Sequence, residues 1–320
     1  MINSILAVYF SDKDKMGYPF DKKEYFASYE RLSSLLSEKE IQMVIVRGNS
    51  YLGNGQFSHG WKFIDNQLVP ITSSIESTVI WNRDDKNTIP DITDHPIINS
   101  MKLDKLCVDK KKTAEFFPQL SPKTKALSSY DELSPLLESW QLKPEDLVVL
   151  KQNFETEGRG IFIRPISEIT TDLYDDWNGV IAQEFCDSSA GIPGFVEGLH
   201  DVRITLMNGE VAESYIRIPA PGEFRANTSL GGSFFYIEVE KIPSELLGLV
   251  RKIDSQLSHY PMRLYAADFF LSKKGWRLIE LNSRPGMPYI RENSKNEDFV
   301  NYYFNQLVTF FIDVFADQNS

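Results

Sequence analysis

Tyr265–Gly286 reads YAADFFLSKKGWRLIELNSRPG, and the reading of the fold turns on how this stretch doubles back. Two apolar runs, Tyr265–Leu271 and Trp276–Leu281, flank Lys273-Lys274-Gly275. A three-residue hairpin loop with glycine last, where positive φ is needed, is a common antiparallel connection. That loop pairs Ser272 with Trp276, Phe270 with Leu278 and Asp268 with Glu280. Cross-strand partners, and residues two apart, share a face of the sheet. Asp268, Glu280 and Asn282 therefore gather on one side. A two- or four-residue loop would slip the register by one and turn Asp268 away from Glu280.

Two carboxylates side by side in a sheet repel unless something positive lies between them. Magnesium prefers oxygen ligands and is typically held by one or two carboxylates plus substrate phosphates. The trio reads as a hard-cation site; the alternative is a solvent-facing hairpin with scattered polar residues. Acidic residues are depleted from strands, and these sit inside strongly apolar runs, which favours the cation site.

The 320 residues suffice for two or three subdomains. Apolar and charged fractions of 42% and 25% are those of a soluble globular chain. With 34 basic and 45 acidic residues the net charge is −11, which argues against nucleic acid or an anionic membrane as the main partner. Cys107 and Cys186 lie far apart with no disulfide framework, so a reducing cytoplasm is expected. The N-terminal stretch lacks the features of a signal peptide, and no apolar run reaches the length of a membrane span. His59, His95, His200 and His259 are isolated, and none stands at zinc-ligand spacing.

Along the chain, Ser4–Phe10 reads as a buried strand, Lys22–Lys39 as a helix and Ile41–Val46 as a strand, an opening that predicts a small parallel sheet. The Gly- and Asn-rich Val46–Trp61 reads as a loop, Ser77–Trp81 as a strand and Arg83–Pro96 as a linker. A short helix over Asp109–Phe117, a strand over Pro122–Leu127, a helix over Asp131–Trp140 and a strand over Asp146–Gln152 follow. The loop Asn153–Gly160 (NFETEGRG) then leads to a strand over Ile161–Arg164. Strand, glycine-bearing loop, strand is not a dinucleotide fingerprint. Gly158 and Gly160 would let the backbone come close to phosphates, and Lys151 at the loop's edge would add a charged donor. An exposed hairpin fits the same pattern. Ile166–Trp177 is helix-like.

Val180–Phe185 ends in Gln183-Glu184-Phe185, which suits an adenine slot: backbone groups and the Glu184 carboxylate can read the amino edge while apolar side chains sandwich the ring. Strands over Leu199–Met207 and Val211–Ile218 join through a type I′ turn at Asn208-Gly209. They carry Asp201, Arg203 and Arg217, and Phe224–Gly232 (FRANTSLGG) adds Arg225. Three arginines in an acidic chain either capture phosphate or carboxylate or pair with local acids on the surface. Pro243–His259 and Phe299–Phe315 read as helices.

These pieces, in this order, resemble the ATP-grasp ligases of the glutathione synthetase-like branch, closest in pattern to the ribosomal-protein glutamate ligase family. The resemblance rests on Lys110 in VDKKKT, Lys151 before the glycine-bearing loop, Gln183-Glu184-Phe185, Asp201-Val202-Arg203, Phe224–Asn227 with Gly231-Gly232, and Asp268, Glu280, Asn282 and Pro285-Gly286. It covers roughly residues 97–290. It implies an α/β (α+β) ATP-grasp fold with an N-terminal Rossmann-like preATP-grasp domain. The expected units are 1–97, a central subdomain 98–185 with the glycine-bearing lid loop, and a C-terminal subdomain 186–320 with the metal site.

By the same resemblance Lys110 and Lys151 contact ATP phosphates, Glu184 and Phe185 hold the adenine, and Asp201 lies near the sugar. Arg225, Ala226 and Asn227 complete the nucleotide side. Asp268, Glu280 and Asn282 bind two magnesium ions, with manganese as a substitute. Arg203 and Arg217 orient a carboxylate and steady its phosphorylated form. Arg284, where the family commonly has a small residue, is a candidate for a substrate carboxylate or phosphoryl oxygen. The implied activity is ATP-dependent joining of a carboxylate to an amine through an acyl phosphate, with ADP and phosphate released. The substrates would be small molecules or peptides, without nucleic acid or membrane, and a homodimer is one compatible assembly. The rival expectations are a non-catalytic ATP-binding regulator or scaffold, and transfer of the acyl phosphate to a non-amine nucleophile.

Overall fold

The computed structural model describes residues 4–13, 15–84, 95–154, 160–226, 231–290 and 296–318. The first sheet forms because β1 (Ser4–Phe10) is apolar on both faces. Helix α1 (Lys23–Ser37) carries the chain back to β2 (Ile41–Arg47), which pairs with β1 in parallel. The next elements are β3 (Tyr51–Gly53), β4 (Gln56–Phe57), β5 (Gly60–Ile64), β6 (Gln67–Ile71), β7 (Ile75–Glu76), β8 (Val79–Asn82) and β9 (Ile97–Ile98). The sheet runs β6-β5-β2-β1-β8-β9, parallel from β2 to β9, with an antiparallel β5–β6 hairpin at one edge.

Alternation divides its core. Leu6, Val8, Met43, Ile45, Val79 and Trp81 point to one side, and Ala7, Tyr9, Val44, Val46 and Ile80 to the other. The second side is covered by the small sheet β3-β4-β7, through Phe57 and Ile75. The segment expected to be a loop, Val46–Trp61, is thus strand-turn-strand. Gly48, Gly53, Asn54 and Gly55 serve the turns, all with positive φ, and Phe57 is fully buried. Of the expected linker Arg83–Pro96, residues 85–94 lie outside the described residues.

Helices α2 (Met101–Val108) and α3 (Lys110–Phe116) follow, capped by Ser100 and Asp109. A four-stranded antiparallel sheet comes next, from β10 (Thr124–Ala126), β11 (Leu147–Gln152), β12 (Ile161–Pro165) and β13 (Val180–Glu184), in the order β10-β13-β11-β12. Helix α4 (Leu133–Ser139) and the aromatic pair Tyr174 and Trp177 fill its back. The helix expected over Ile166–Trp177 is two short 3₁₀ turns, Ile166–Glu168 and Thr171–Leu173. A hydrogen bond from Trp177 Nε1 to the Thr171 carbonyl (2.8 Å) and burial of Tyr174 pin that irregular path.

The largest contributor to the site is a five-stranded antiparallel sheet, from β14 (Asp201–Met207), β15 (Glu210–Ile218), β16 (Ser233–Tyr236), β17 (Leu264–Ser272) and β18 (Gly275–Asn282), in the order β16-β15-β14-β17-β18. The turn between β14 and β15 places both Asn208 (φ 48°) and Gly209 (φ 97°) in positive φ, as type I′ requires. Val202, Ile204, Leu206, Ile216, Phe269 and Leu278 face α5 (Ser244–Leu257) behind the sheet. The polar alternates face forward. Helix α6 (Glu297–Gln318) packs into the core of the first sheet, with Trp81 against Phe311 at 5.3 Å between ring centroids. The boundaries expected at residues 97 and 185 fall at β9 and one residue past β13.

The β17–β18 hairpin departs from the expected register at its loop. The loop is two residues long, because Ser272 pairs with Gly275 and Leu271 with Trp276. Phe270 therefore faces Arg277, not Leu278. Carried on, that register would send Asp268 and Glu280 to opposite faces. A β-bulge intervenes: Phe269 pairs with Leu278, Ile279 is the extra residue, and Asp268 pairs with Glu280. The expected pairing is present, reached through a different loop.

Candidate active site

The six-, four- and five-stranded sheets enclose a cavity of about 860 Å³ lined by side chains from each. Its floor is the forward face of the five-stranded sheet. Asp201, Arg203 and Thr205 of β14 alternate with Val202 and Ile204, and Glu213, Tyr215 and Arg217 of β15 stand beside them. Asp268 of β17, with Glu280 and Asn282 of β18, continue the row. Asp268, Glu280 and Asn282 all line the cavity, as do Arg203 and Arg217.

Asp268 is 1% exposed and is held by both arginines. Arg203 donates from Nε to Oδ1 (2.7 Å) and from Nη2 to Oδ2 (2.6 Å), and Arg217 Nη2 donates to Oδ2 (2.6 Å). Arg217 Nε in turn donates to Asp201. Burial alone would raise the Asp268 carboxyl; the two guanidiniums overcome it and hold that pKa low. Asp201 is raised by its burial, Arg217 opposing and Asp268 adding to the shift. Charge-assisted, bidentate contacts of this kind are the strong ones, so without a competing anion both arginines rest on Asp268.

At the four-stranded sheet, Lys151 is 4% exposed, and its Nζ donates to Gln183 Oε1 (3.1 Å) across the β11–β13 pairing. Gln183 passes the chain of bonds on from Nε2 to Thr124 Oγ1 (2.8 Å). Burial pushes the Lys151 ammonium down to about 8; the Glu280 charge opposes this and Lys110 adds to it. Lys110 donates from Nζ to the Asn153 carbonyl (3.2 Å), and the Asn153 side chain clasps the start of α3 through Asp109 Oδ1 (2.9 Å). Glu184 sits at the end of β13 with its carboxylate on Lys274 Nζ (2.8 Å). Phe185 meets Phe224 edge to face at 5.8 Å. Val149, Ile163 and the bulge residue Ile279 add apolar lining. A flat apolar ring fits such a slot.

The structure brings together Lys110, Lys151, Gln183, Glu184, Phe185, Asp201, Arg203, Arg217, Arg225, Ala226, Asp268, Glu280, Asn282 and Arg284 around one cavity. Gly160 has positive φ (61°) just beyond that lining, and Gly158 and Asn227 lie outside the described residues, as does most of the expected lid, 155–159. Arg225 is paired with Glu223. Arg284 reaches back to Asp104 on α2, whose burial raises its carboxyl to about 6 against the pull of Arg284.

The sequence reading missed the opposite end of the cavity. There Tyr18, Tyr25 and Tyr29, with Arg83 from the end of β8, meet the Pro285–Tyr289 segment. Arg83 Nη2 donates to the Pro285 carbonyl (2.7 Å), and Tyr25 contacts Tyr18 and Tyr289 at 6.0 and 5.9 Å. Glu213 and Tyr215 were missed too, though their alternation with Arg217 along β15 was there to be read.

The donor set is of the kind a hard divalent cation takes, two carboxylates on paired positions and an amide oxygen two residues on; Asp268 here accepts from Arg203 and Arg217, and Asn282 Oδ1 from the Arg284 backbone N–H at 2.8 Å, so a cation would take their place. Magnesium completes such a set with water and phosphate oxygens. Among the described residues no group of three or more His, Cys, Asp or Glu is placed to hold a metal ion. No described helix is long and apolar enough to cross a membrane.

A family model for the RimK-like ATP-grasp domain matches residues 108–299. The coenzyme γ-F420-2:α-L-glutamate ligase of Methanocaldococcus jannaschii is 28% identical over 208 residues, 63% of this chain and 66% of that one. A probable α-L-glutamate ligase of Psychromonas ingrahamii is 26% identical over 170 residues, covering 52% and 51%. The matches thus span about half to two thirds of these relatives. Among solved structures, the D-alanine–D-alanine ligase of Bacillus anthracis complexed with ATP superposes with a TM-score of 0.59 at 14% identity, covering 98% of each chain. The fold is that of the ATP-grasp ligases.

Proposed function

We propose, from the premise that this chain belongs to the RimK-like ATP-grasp family, that it is an ATP-dependent carboxylate–amine ligase. It would form an amide or peptide bond through an acyl phosphate and release ADP and phosphate. The observation that carries the reading is the pairing of Asp268 with Glu280 on a cavity floor that also presents Arg203 and Arg217, opposite the buried Lys151.

A carboxylate and a triphosphate repel, so a site that joins them must be strongly cationic, and little covalent chemistry is asked of the protein. Asp268, Glu280 and Asn282 are the residues that would hold magnesium, which would supply positive charge against the phosphates. Lys110 and Lys151 would bind phosphate oxygens. Gln183, Glu184 and Phe185 would orient the base, with Asp201 near the sugar and Arg225, Ala226 and Asn227 along the nucleotide edge. Arg203 and Arg217 would move from Asp268 toward the substrate carboxylate and its phosphorylated form, and Arg284 would border it. The tyrosines and Arg83 would shape the pocket for the group being joined. The relatives named for glutamate make an amino acid the first amine to try, with a peptide or small molecule as acid. Two free cysteines accord with a reducing compartment.

The test is ADP release with ATP, magnesium, L-glutamate and an acetylated peptide ending in glutamate, with the product identified by mass spectrometry. A panel of other acids and amines follows. Tight ATP binding with no turnover across the panel would favour the non-catalytic reading, which the arginine-saturated Asp268 gives some footing.

A further inference from the structure

Glu213 is a buried carboxylate that the nucleotide side of the site does not use. It lines the cavity and is 8% exposed. On β15 it shares the forward face with Tyr215 and Arg217, so it stands two alternations from Arg217, roughly 13 Å along the strand. That direction leads away from Asp201, the cross-strand partner of Arg217, and toward Tyr303, which Arg83 and Tyr29 also face. Thr205 Oγ1 donates to its Oε2 at 3.3 Å, a long and weak bond, and the Tyr236 hydroxyl also bonds it. The groups facing it are Arg203 and Thr205 on β14, Tyr215 on its own strand, Tyr236 on β16 and Tyr303 on α6. Arg203 is the one cation among them, and both Oδ atoms of Asp268 already accept from it. A buried carboxylate with no cation bonded directly to it is costly, and a ligand that brings a positive charge would relieve that cost.

We propose that Glu213 receives the amine substrate as its ammonium form and takes the proton that frees the nitrogen lone pair. This rests on the ligase reading and extends it: the nucleophile is a primary amine, delivered from the tyrosine-lined end. The ammonium gives one proton to the Glu213 carboxylate. The lone pair forms the C–N bond at the acyl-phosphate carbon. The C–O bond to phosphate breaks with its electron pair on phosphate, and the second nitrogen proton goes to that phosphate. Burial raises the Glu213 carboxyl to about 7, Arg203 opposing, so the acceptor is poised near neutrality, where proton transfer is most effective.

The experiment compares wild type, Glu213→Gln and Glu213→Asp with ATP, magnesium and the acetylated peptide ending in glutamate. Each is given either L-glutamate or hydroxylamine, which is uncharged near neutral pH. Glu213→Gln should lower kcat/KM for L-glutamate by about 100-fold or more, at least tenfold more than it lowers hydroxamate formation. The wild-type rate with L-glutamate should level off above an inflection near pH 7 and fall below it, a profile Glu213→Asp keeps, whereas Glu213→Gln, left to use the scarce free amine, should climb about tenfold per pH unit through 7 with no inflection there. Equal losses with both nucleophiles, or no loss with either, would overturn the role of Glu213 while leaving the ligase reading in place. A wild type that consumes no ATP with either nucleophile or with any other acid and amine of the panel would overturn both.

Discussion

The two ends of the cavity are built differently. The end proposed to take the nucleotide is a product of strand register. Lys151 and Gln183 are near neighbours across two strands of one sheet, and Asp268 and Glu280 are a cross-strand pair in another. Neighbouring strands bring their chemistry together, so the pattern is compact in sequence. The far end is a product of packing between sheets. Tyr25 and Tyr29 come from α1, Arg83 from the end of β8, Glu213 from β15 and Tyr289 from the segment after β18. Nothing in the spacing of these residues joins them. A shared fold can fix the first end and vary the second, which is how one scaffold serves different substrates.

The sharpest way to break the contrast is Glu280→Ala. Charge placed where it develops in the reaction is usually the largest single contribution. ADP formation should fall about 1,000-fold with the chain still folded. Full activity in the presence of magnesium would remove the metal site and with it the distinction between the two ends.

Next in size is Lys151. Its ammonium is held down to about 8 by burial. Phosphate oxygens would raise that value, so ATP binding at pH 8.5 should draw in a large part of one proton, and at pH 6.5 almost none. Calorimetry in buffers of different ionisation enthalpy reads this directly. Lys151→Met should abolish the uptake and weaken ATP by about 10- to 100-fold, the range for a lost bond to a charged group. Uptake that persists in the variant would move the phosphate contact elsewhere.

Arg83→Ala probes the other end. The guanidinium ties the first sheet to the Pro285 carbonyl, so its loss should loosen the substrate pocket without touching the nucleotide. We expect KM for the acid or the amine to rise about tenfold, one hydrogen bond from a charged donor being worth that much, with KM for ATP within twofold. Equal rises in both would mean that the ends act as one unit.

What could be read in advance follows the same division. The strands β1, β2, β11, β13, β14, β15, β17 and β18 were legible because apolar alternation and the Asn208-Gly209 turn are local signals. So was the meeting of Asp268 with Glu280, though for an incomplete reason. A bulge at Ile279 leaves no mark in an apolar run, because the extra residue is as apolar as its neighbours. The small sheet over Val46–Trp61 was hidden by its turn residues, whose composition outweighs the single buried Phe57. Glu213 was legible in principle, since residues two apart share a face and Arg217 stands four residues on in the same strand. The tyrosine-lined end was not, because its members meet only through tertiary packing.

The smallest expected effect concerns Lys274. It sits in the two-residue loop of the hairpin, and its ammonium bonds Glu184 at 2.8 Å, linking the five-stranded sheet to the end of β13. The lysine side chain is 66% exposed, so salt screens the pair and water competes for it. Lys274→Ala should therefore change KM for ATP by no more than about twofold. Its value lies in what it releases. In the resting arrangement Lys274 occupies the Glu184 carboxylate expected to read the adenine amino group. If that carboxylate does the reading, freeing it should raise the preference for ATP over GTP slightly, and more at low salt than at high. If backbone groups do the reading, the ratio should stay fixed at every ionic strength. A large loss of ATP affinity would instead show that the hairpin tip props the nucleotide slot open, and that the bulged register of β17 and β18 sets the shape of the adenine end as well as the position of Asp268 and Glu280.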